Sequence, residues 1–140
     1  MRFDLDIPVY GDTSYRGQCP REKLEQVTFV RRVREQYPDT FGRLLVHPNN
    51  ESARKGKEFH KLSMDKALGL TPGASDIIIP GRPSFVCEIK RRDHTKSKWQ
   101  DGQPEYLRAA LDSGCFACVA LGADAATEAL AEWLKSQANY

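Results

Sequence analysis

The stretch Gly73-Ala74-Ser75-Asp76-Ile77-Ile78-Ile79-Pro80-Gly81-Arg82-Pro83-Ser84-Phe85-Val86-Cys87-Glu88-Ile89-Lys90 reads as two strands around a tight turn. The apolar residues from 77 to 79 and from 85 to 89 are β-branched, aromatic or small, and Pro80-Gly81-Arg82-Pro83 is turn chemistry. The spacing predicts a hairpin with strands over Ser75–Ile79 and Ser84–Lys90. Side chains alternate along a strand, so Glu88 and Lys90 share one face while Cys87 and Ile89 take the other. Folding the hairpin brings Asp76, at the start of the first strand, close to Glu88.

Two carboxylates and an amine on one patch can hold a divalent cation beside a phosphodiester. Mg²⁺ takes hard oxygen ligands, and few of them from protein, because it keeps several waters. Asp76 and Glu88 supply two such ligands, and the carbonyl of Ile89 is a candidate third. Lys90 can orient or deprotonate an attacking water, or hold the scissile phosphate. A Glu-x-Lys triplet alone is common and usually marks a surface ion pair. Its combination with an upstream Asp across a tight turn is more specific.

The 140 residues suit one domain, with an irregular arm over residues 1–20 and a single domain over 21–140. Hydrophobic residues make up 40% and charged residues 29%. No apolar run approaches a membrane span and the N-terminus has no signal-like apolar core, so a cytoplasmic protein is expected. Net charge is only +2, but residues 16–98 hold 18 Lys and Arg against 10 Asp and Glu. That imbalance suits a polyanion-binding face, or simply a solvated surface. Cys115-Phe116-Ala117-Cys118 has redox or half-zinc spacing, but Cys19 and Cys87 stand alone and complete no second half-site. The pair fits better as small apolar residues of a buried strand over Phe116–Leu121.

A first helix is predicted over 21–37, bracketed by Pro20 and Pro38, with Phe29, Val30, Val33 and Tyr37 facing inward. Glu22 and Gln26 fall on the same stripe, and Glu25 nearer its edge. Glu22 is either a first-turn residue favoured by the helix dipole or an acid facing the metal centre. Arg43–His47 reads as a strand, residues 50–57 as a basic loop, about 58–68 as a helix, and 91–102 as a second basic loop. A helix from Gln103 or Pro104 to Ser113, the strand Phe116–Leu121, and a helix over Asp124–Ser136 with Ala125, Leu130 and Leu134 inward complete the chain. The order predicts an α/β fold: a restriction-endonuclease-like α-β-β-β-α-β core whose central mixed sheet is flanked by helices.

The ordered motifs resemble the VRR-NUC group of the PD-(D/E)XK nuclease superfamily over residues 21–135. They are Glu22 to Gln26 followed by Tyr37-Pro38, His47-Pro48-Asn49-Asn50 with Arg54, Gly69 to Gly73 to Asp76, Glu88-Ile89-Lys90, and Gln103 to Gly114. Ser75 stands where the superfamily name has proline, Pro104 follows Gln103 directly, and Gln100 competes for the glutamine position. The resemblance implies a Mg²⁺- or Mn²⁺-dependent DNA endonuclease with Asp76, Glu88, Lys90, Gln103 and Glu22 as catalytic residues and Asp76, Glu88, Ile89 and Glu22 as ligands. Glu25 is the alternative helix acid. It also implies a homodimer acting on branched DNA such as four-way junctions.

Asn49, Arg54, Lys55, Lys57, Arg91, Arg92, Lys96 and Lys98 are the expected nucleic-acid contacts, giving salt-sensitive, sequence-tolerant binding. Trp99 is a candidate for stacking on a base, or for packing. His47, His60 and His94 lack metal-ligand spacing. Two rival readings are a catalytically weak nucleic-acid-binding module on a nuclease fold and a sequence-specific restriction-type nuclease.

Overall fold

The computed structural model describes residues 1–3, 6–48, 64 and 67–137. The expected helix near 58–68 falls almost wholly outside these residues, as do Asn49, Arg54, Lys55 and Lys57.

Strands β1 (Val9–Tyr10), β2 (Ile77–Ile79), β3 (Phe85–Lys90) and β4 (Phe116–Leu121) form one mixed sheet in the order β1-β4-β3-β2. β2 and β3 pair antiparallel with Ile77 opposite Cys87, while β3 and β4 run parallel with Cys87 beside Cys118. Helix α1 spans Glu22–Gln36, α2 Phe41–Leu44, α3 Gln103–Asp112 and α4 Ala123–Gln137. α3 connects the two parallel strands, as a parallel pair requires.

The sheet is covered on both faces. Phe85, Cys87, Ile89, Cys118 and Ala120 pack with Phe29 and Val33 of α1 and Leu130 and Trp133 of α4. Val86, Val119 and Leu121 pack on the other face with Leu107 of α3 and with Phe3, Ile7 and Trp99. Burial on both faces is why β3 and β4 read as nearly continuous apolar runs. Glu88 and Lys90 interrupt β3 on the α3 face.

Two expectations change. Residues 43–47 are not a strand: 41–44 make one helical turn and only Val46 bridges Ile78. The cause lies at Gly42, where a Cβ would stand 2.6 Å from the Tyr37 carbonyl oxygen and 2.8 Å from Arg34 Cα. The missing side chain lets this turn fold directly onto the end of α1, and a short run such as Leu44-Leu45-Val46 fits either state. Residues 1–20 are also not irregular throughout, since Val9 and Tyr10 pair in parallel with Val119 and Ala120. The four cysteines are free thiols, with Cys87 and Cys118 buried in the core. Among the described residues no helix is long and apolar enough to cross a membrane.

Candidate active site

Extending the β2–β3 register by one residue places Asp76 opposite Glu88. The backbone N–H of Ile89 donates to Asp76 Oδ2 at 3.0 Å, which fixes that carboxylate against β3. Two residues along the same face, Lys90 is fully buried. Its Nζ donates to the Lys98 carbonyl and to Gln103 Oε1, each at 2.9 Å, and lies 3.7 Å from Glu88 Oε1 and 3.8 Å from Glu22 Oε1. Gln103 joins the two charged groups, because its Nε2 donates to Glu88 Oε1 at 2.8 Å. The structure thus brings Asp76, Glu88, Lys90, Gln103 and Glu22 together around one end of the sheet.

Gln103 is aimed by its helix start. Gly102 is left-handed (φ 86°), and Pro104 occupies the first turn of α3, where its missing N–H costs nothing. The backbone N–H of Gln100 donates to Gln103 Oε1 at 2.9 Å, so Gln100 serves as a support for Gln103. Gly73 packs against this corner: a Cβ there would sit 2.3 Å from the Gly102 carbonyl carbon, at a φ of 84°. Gly73→Ala would strain the backbone and push the Asp76 and Gln103 segments apart. A destabilisation of about 2 kcal/mol or more is expected in urea titration.

Glu88 is 1% exposed and its Oε2 has no hydrogen-bond partner. Burial first, then the neighbouring Asp76 carboxylate, push its pKa well above the usual carboxylate range, against the pull of Lys90. Among the described residues no three His, Cys, Asp or Glu side chains gather into a cation cage. Two adjacent carboxylates with one buried orphan oxygen nevertheless fit a hard cation that retains most of its waters.

A solved structure described as a VRR_NUC domain protein superposes on this chain with a TM-score of 0.62. The match covers 86% of this chain and 92% of that one, at 18% sequence identity. The chain shares the fold of that VRR_NUC domain protein. No family model matches the sequence, and no curated protein does.

Within this fold the two helix acids separate. Glu22 Oε1 accepts from Ser97 Oγ at 3.3 Å and faces Lys90. Glu25 Oε2 instead accepts from the Ala123 N–H at 3.3 Å, at the start of α4, where burial raises its pKa. An acid at a helix N-terminus is a structural partner of that helix.

The basic loop after β3 is engaged by the arm. Arg91 donates to the carbonyls of Cys19 (2.8 Å) and Pro20 (3.1 Å), and Lys96 to that of Gly17 (2.9 Å). The Arg92 guanidinium lies 3.9 Å from the Tyr15 ring centroid. Three of the expected phosphate contacts therefore already have partners inside the protein, while Lys98 is exposed. Trp99 packs: its Nε1 donates to the Arg2 carbonyl at 3.0 Å, and its ring centroid stands 5.7 Å from Lys90 Nζ.

Sequence reasoning missed Asp93, which ties the arm down. Its Oδ2 accepts from the Gly17 N–H at 3.1 Å and its Oδ1 from Thr95 Oγ1 at 2.6 Å. The Thr95 hydroxyl first, then the Gly17 amide, hold its pKa at about 2. A depressed carboxylate pKa stabilises the fold above the unfolded value of 3.8 and loses that contribution as pH falls towards 2. Hydrogen exchange at the Gly17 amide should therefore accelerate between pH 4 and pH 2 beyond its intrinsic trend, and Asp93→Ala should already show fast exchange at neutral pH. The readable signal was an Asp followed two residues later by Thr, a local turn motif.

Proposed function

We propose that the protein is a metal-dependent DNA endonuclease hydrolysing phosphodiester bonds. The observation that carries this reading is the buried Asp76–Glu88–Lys90–Gln103 cluster on a nuclease-type fold. A binding module gains nothing from two carboxylates facing phosphate. Asp76 and Glu88, with the Ile89 carbonyl, would hold Mg²⁺ or Mn²⁺. Such an ion, when bound, supplies Lewis acidity and lowers the pKa of its water.

The chain's own residues do the rest. Lys90 has two protons committed to Lys98 and Gln103, leaving a third for a phosphate oxygen or the attacking water. Gln103 fixes the distance between Glu88 and Lys90. Glu22 balances the buried ammonium from α1. We further propose, from the family resemblance, that the enzyme prefers branched DNA and acts as a homodimer. A two-fold axis relating two sites matches the pseudo-symmetry of a four-way junction.

The test is cleavage of labelled four-way junction, splayed arm, duplex and single strand at fixed salt with Mg²⁺, Mn²⁺ or EDTA. Metal-dependent nicking that Lys90→Ala abolishes, strongest on the junction, is the expected result. Equal binding with no cutting in any metal would overturn the catalytic reading. Light scattering on the free protein checks the dimer.

A further inference from the structure

A groove of about 820 Å³ runs along the outer face of α1. Lys23, Val27, Val30 and Arg34 follow one line along the helix at spacings of four, three and four residues, and Arg31 flanks it. Lys23 to Arg34 spans about 16 Å at 1.5 Å per residue. Two residues that line the groove adjoin the candidate active site. Lys23 follows Glu22, which reaches towards Lys90. His47 also lines the groove and places its Nδ1 2.6 Å from the carbonyl oxygen of Asp76.

Charge is distributed unequally among the cations of this region. Arg32 on the same helix is paired with Asp124 at 2.9 Å, and Arg91, Arg92 and Lys96 are engaged by the arm. Arg31 and Arg34 are exposed and have no ion pair or hydrogen bond among the described residues. Glu35 is the single carboxylate among the described residues lining the groove, against three cations. Between the cations the floor is apolar: Val27 is 58% exposed, and Val30 lies beside it. Cations at the ends and side of a short apolar floor suit a sugar–phosphate backbone, whose anionic oxygens can meet Arg31 and Arg34 while the less polar faces of deoxyribose lie over Val27 and Val30. A purely apolar protein partner would leave both arginines uncompensated.

We propose that this groove is the track for the backbone of the DNA strand leading to the candidate active site, with Arg31 and Arg34 as its phosphate contacts. The proposal rests on the nuclease reading and assigns that enzyme a binding surface outside the β3 loop.

The test compares wild type, Arg31→Ala/Arg34→Ala, and a control Arg108→Ala/Lys135→Ala, in fluorescence anisotropy with a labelled duplex in EDTA across a salt series. The same three proteins are assayed for cleavage in Mg²⁺. Alanine is a strong helix former and both arginines are exposed, so α1 should stay folded, which circular dichroism checks. Expected are roughly tenfold weaker binding for the groove variant and a log–log salt slope shallower by about two, as loss of two phosphate contacts requires. Cleavage should fall in parallel at subsaturating DNA, and the control should match wild type. A wild type that binds and cuts DNA, with a groove variant equal to it in affinity and slope, would overturn the track while leaving the nuclease reading standing. The same equality with a changed mass in light scattering would make the groove a contact between two copies and likewise refute it. A wild type that neither binds nor cuts any DNA would overturn the nuclease reading and this proposal together.

Discussion

Glu88→Gln is expected to abolish cleavage while making the protein harder to unfold in EDTA. The substitution keeps an oxygen for the Gln103 amide and replaces the orphaned Oε2 with a donor that can face Asp76. It removes a negative charge whose burial, beside a second carboxylate, is unfavourable. The raised pKa sets the sign of the pH dependence. Wild-type Glu88 contributes stability that is fully present below the ordinary carboxylate range and is lost as pH rises towards its folded pKa. The variant lacks this dependence, so its advantage in EDTA should widen as pH rises from about 4.5, by up to 1.4 kcal/mol per unit. Mg²⁺ or Mn²⁺ should then stabilise wild type and not the variant, since an ion that binds only the folded site adds RT ln(1 + [L]/Kd). Cleavage should fall by at least about 10³-fold, the loss of some 4 kcal/mol of transition-state stabilisation. Thermal melts across pH, with and without metal, read the first effect, and single-turnover cleavage reads the second. A variant less stable than wild type throughout, metal absent, would refute the account of Glu88.

Trp133→Ala is expected to be the most damaging single truncation in the core, at about 3–5 kcal/mol. Trp133 is fully buried. Its ring meets Phe41 at 4.9 Å edge-on and Phe85 at 5.5 Å, and its Nε1 donates to the Pro83 carbonyl at 2.7 Å. It therefore joins α4, α2 and the β2–β3 turn at one point. Gly81 is shaped to it, since a Cβ there would lie 2.8 Å from Trp133 Cζ2. The midpoint of thermal unfolding should drop by roughly 10–20 °C. Trp133→Phe should recover most of the loss, because the Pro83 carbonyl still accepts from Gln137 Nε2 at 3.0 Å. Circular dichroism is the suitable readout, since Trp99 would dominate the remaining fluorescence.

The site was readable where chemistry and local periodicity coincide. Two-residue alternation placed Glu88 and Lys90 on one face and the Pro-Gly turn set Asp76 opposite, whereas the helix stripe left Glu22 open between a first-turn acid and a site residue, and only the family resemblance put it in the site. The sheet's β4 was legible as an unbroken apolar run. What escaped depends on contacts between distant segments. Val9 and Tyr10 carry no periodic signal, and only Val119 and Ala120 make them a strand. The turn at 41–44 follows from the space above Gly42. Trp133 lies four residues after Ala129 and eight after Ala125, so the signal was present but the inward candidates passed over it. Lysines and arginines of the β3 loop look alike in sequence, whether they face solvent or hold the carbonyls of Gly17, Cys19 and Pro20.

The outer strands of the sheet carry a further consequence. Its two ends are β1, two residues long between Pro8 and Gly11, and β2, three residues long and bridged at its centre by Val46. A long bare strand end would template hydrogen bonding to a neighbouring molecule. Here the central pair β3–β4, whose apolar sequences are the most prone to self-pairing, is flanked on both sides by strands too brief to recruit another chain. At high concentration the folded protein should stay dispersed, and fibrous assembly should require β1 to detach from β4 first.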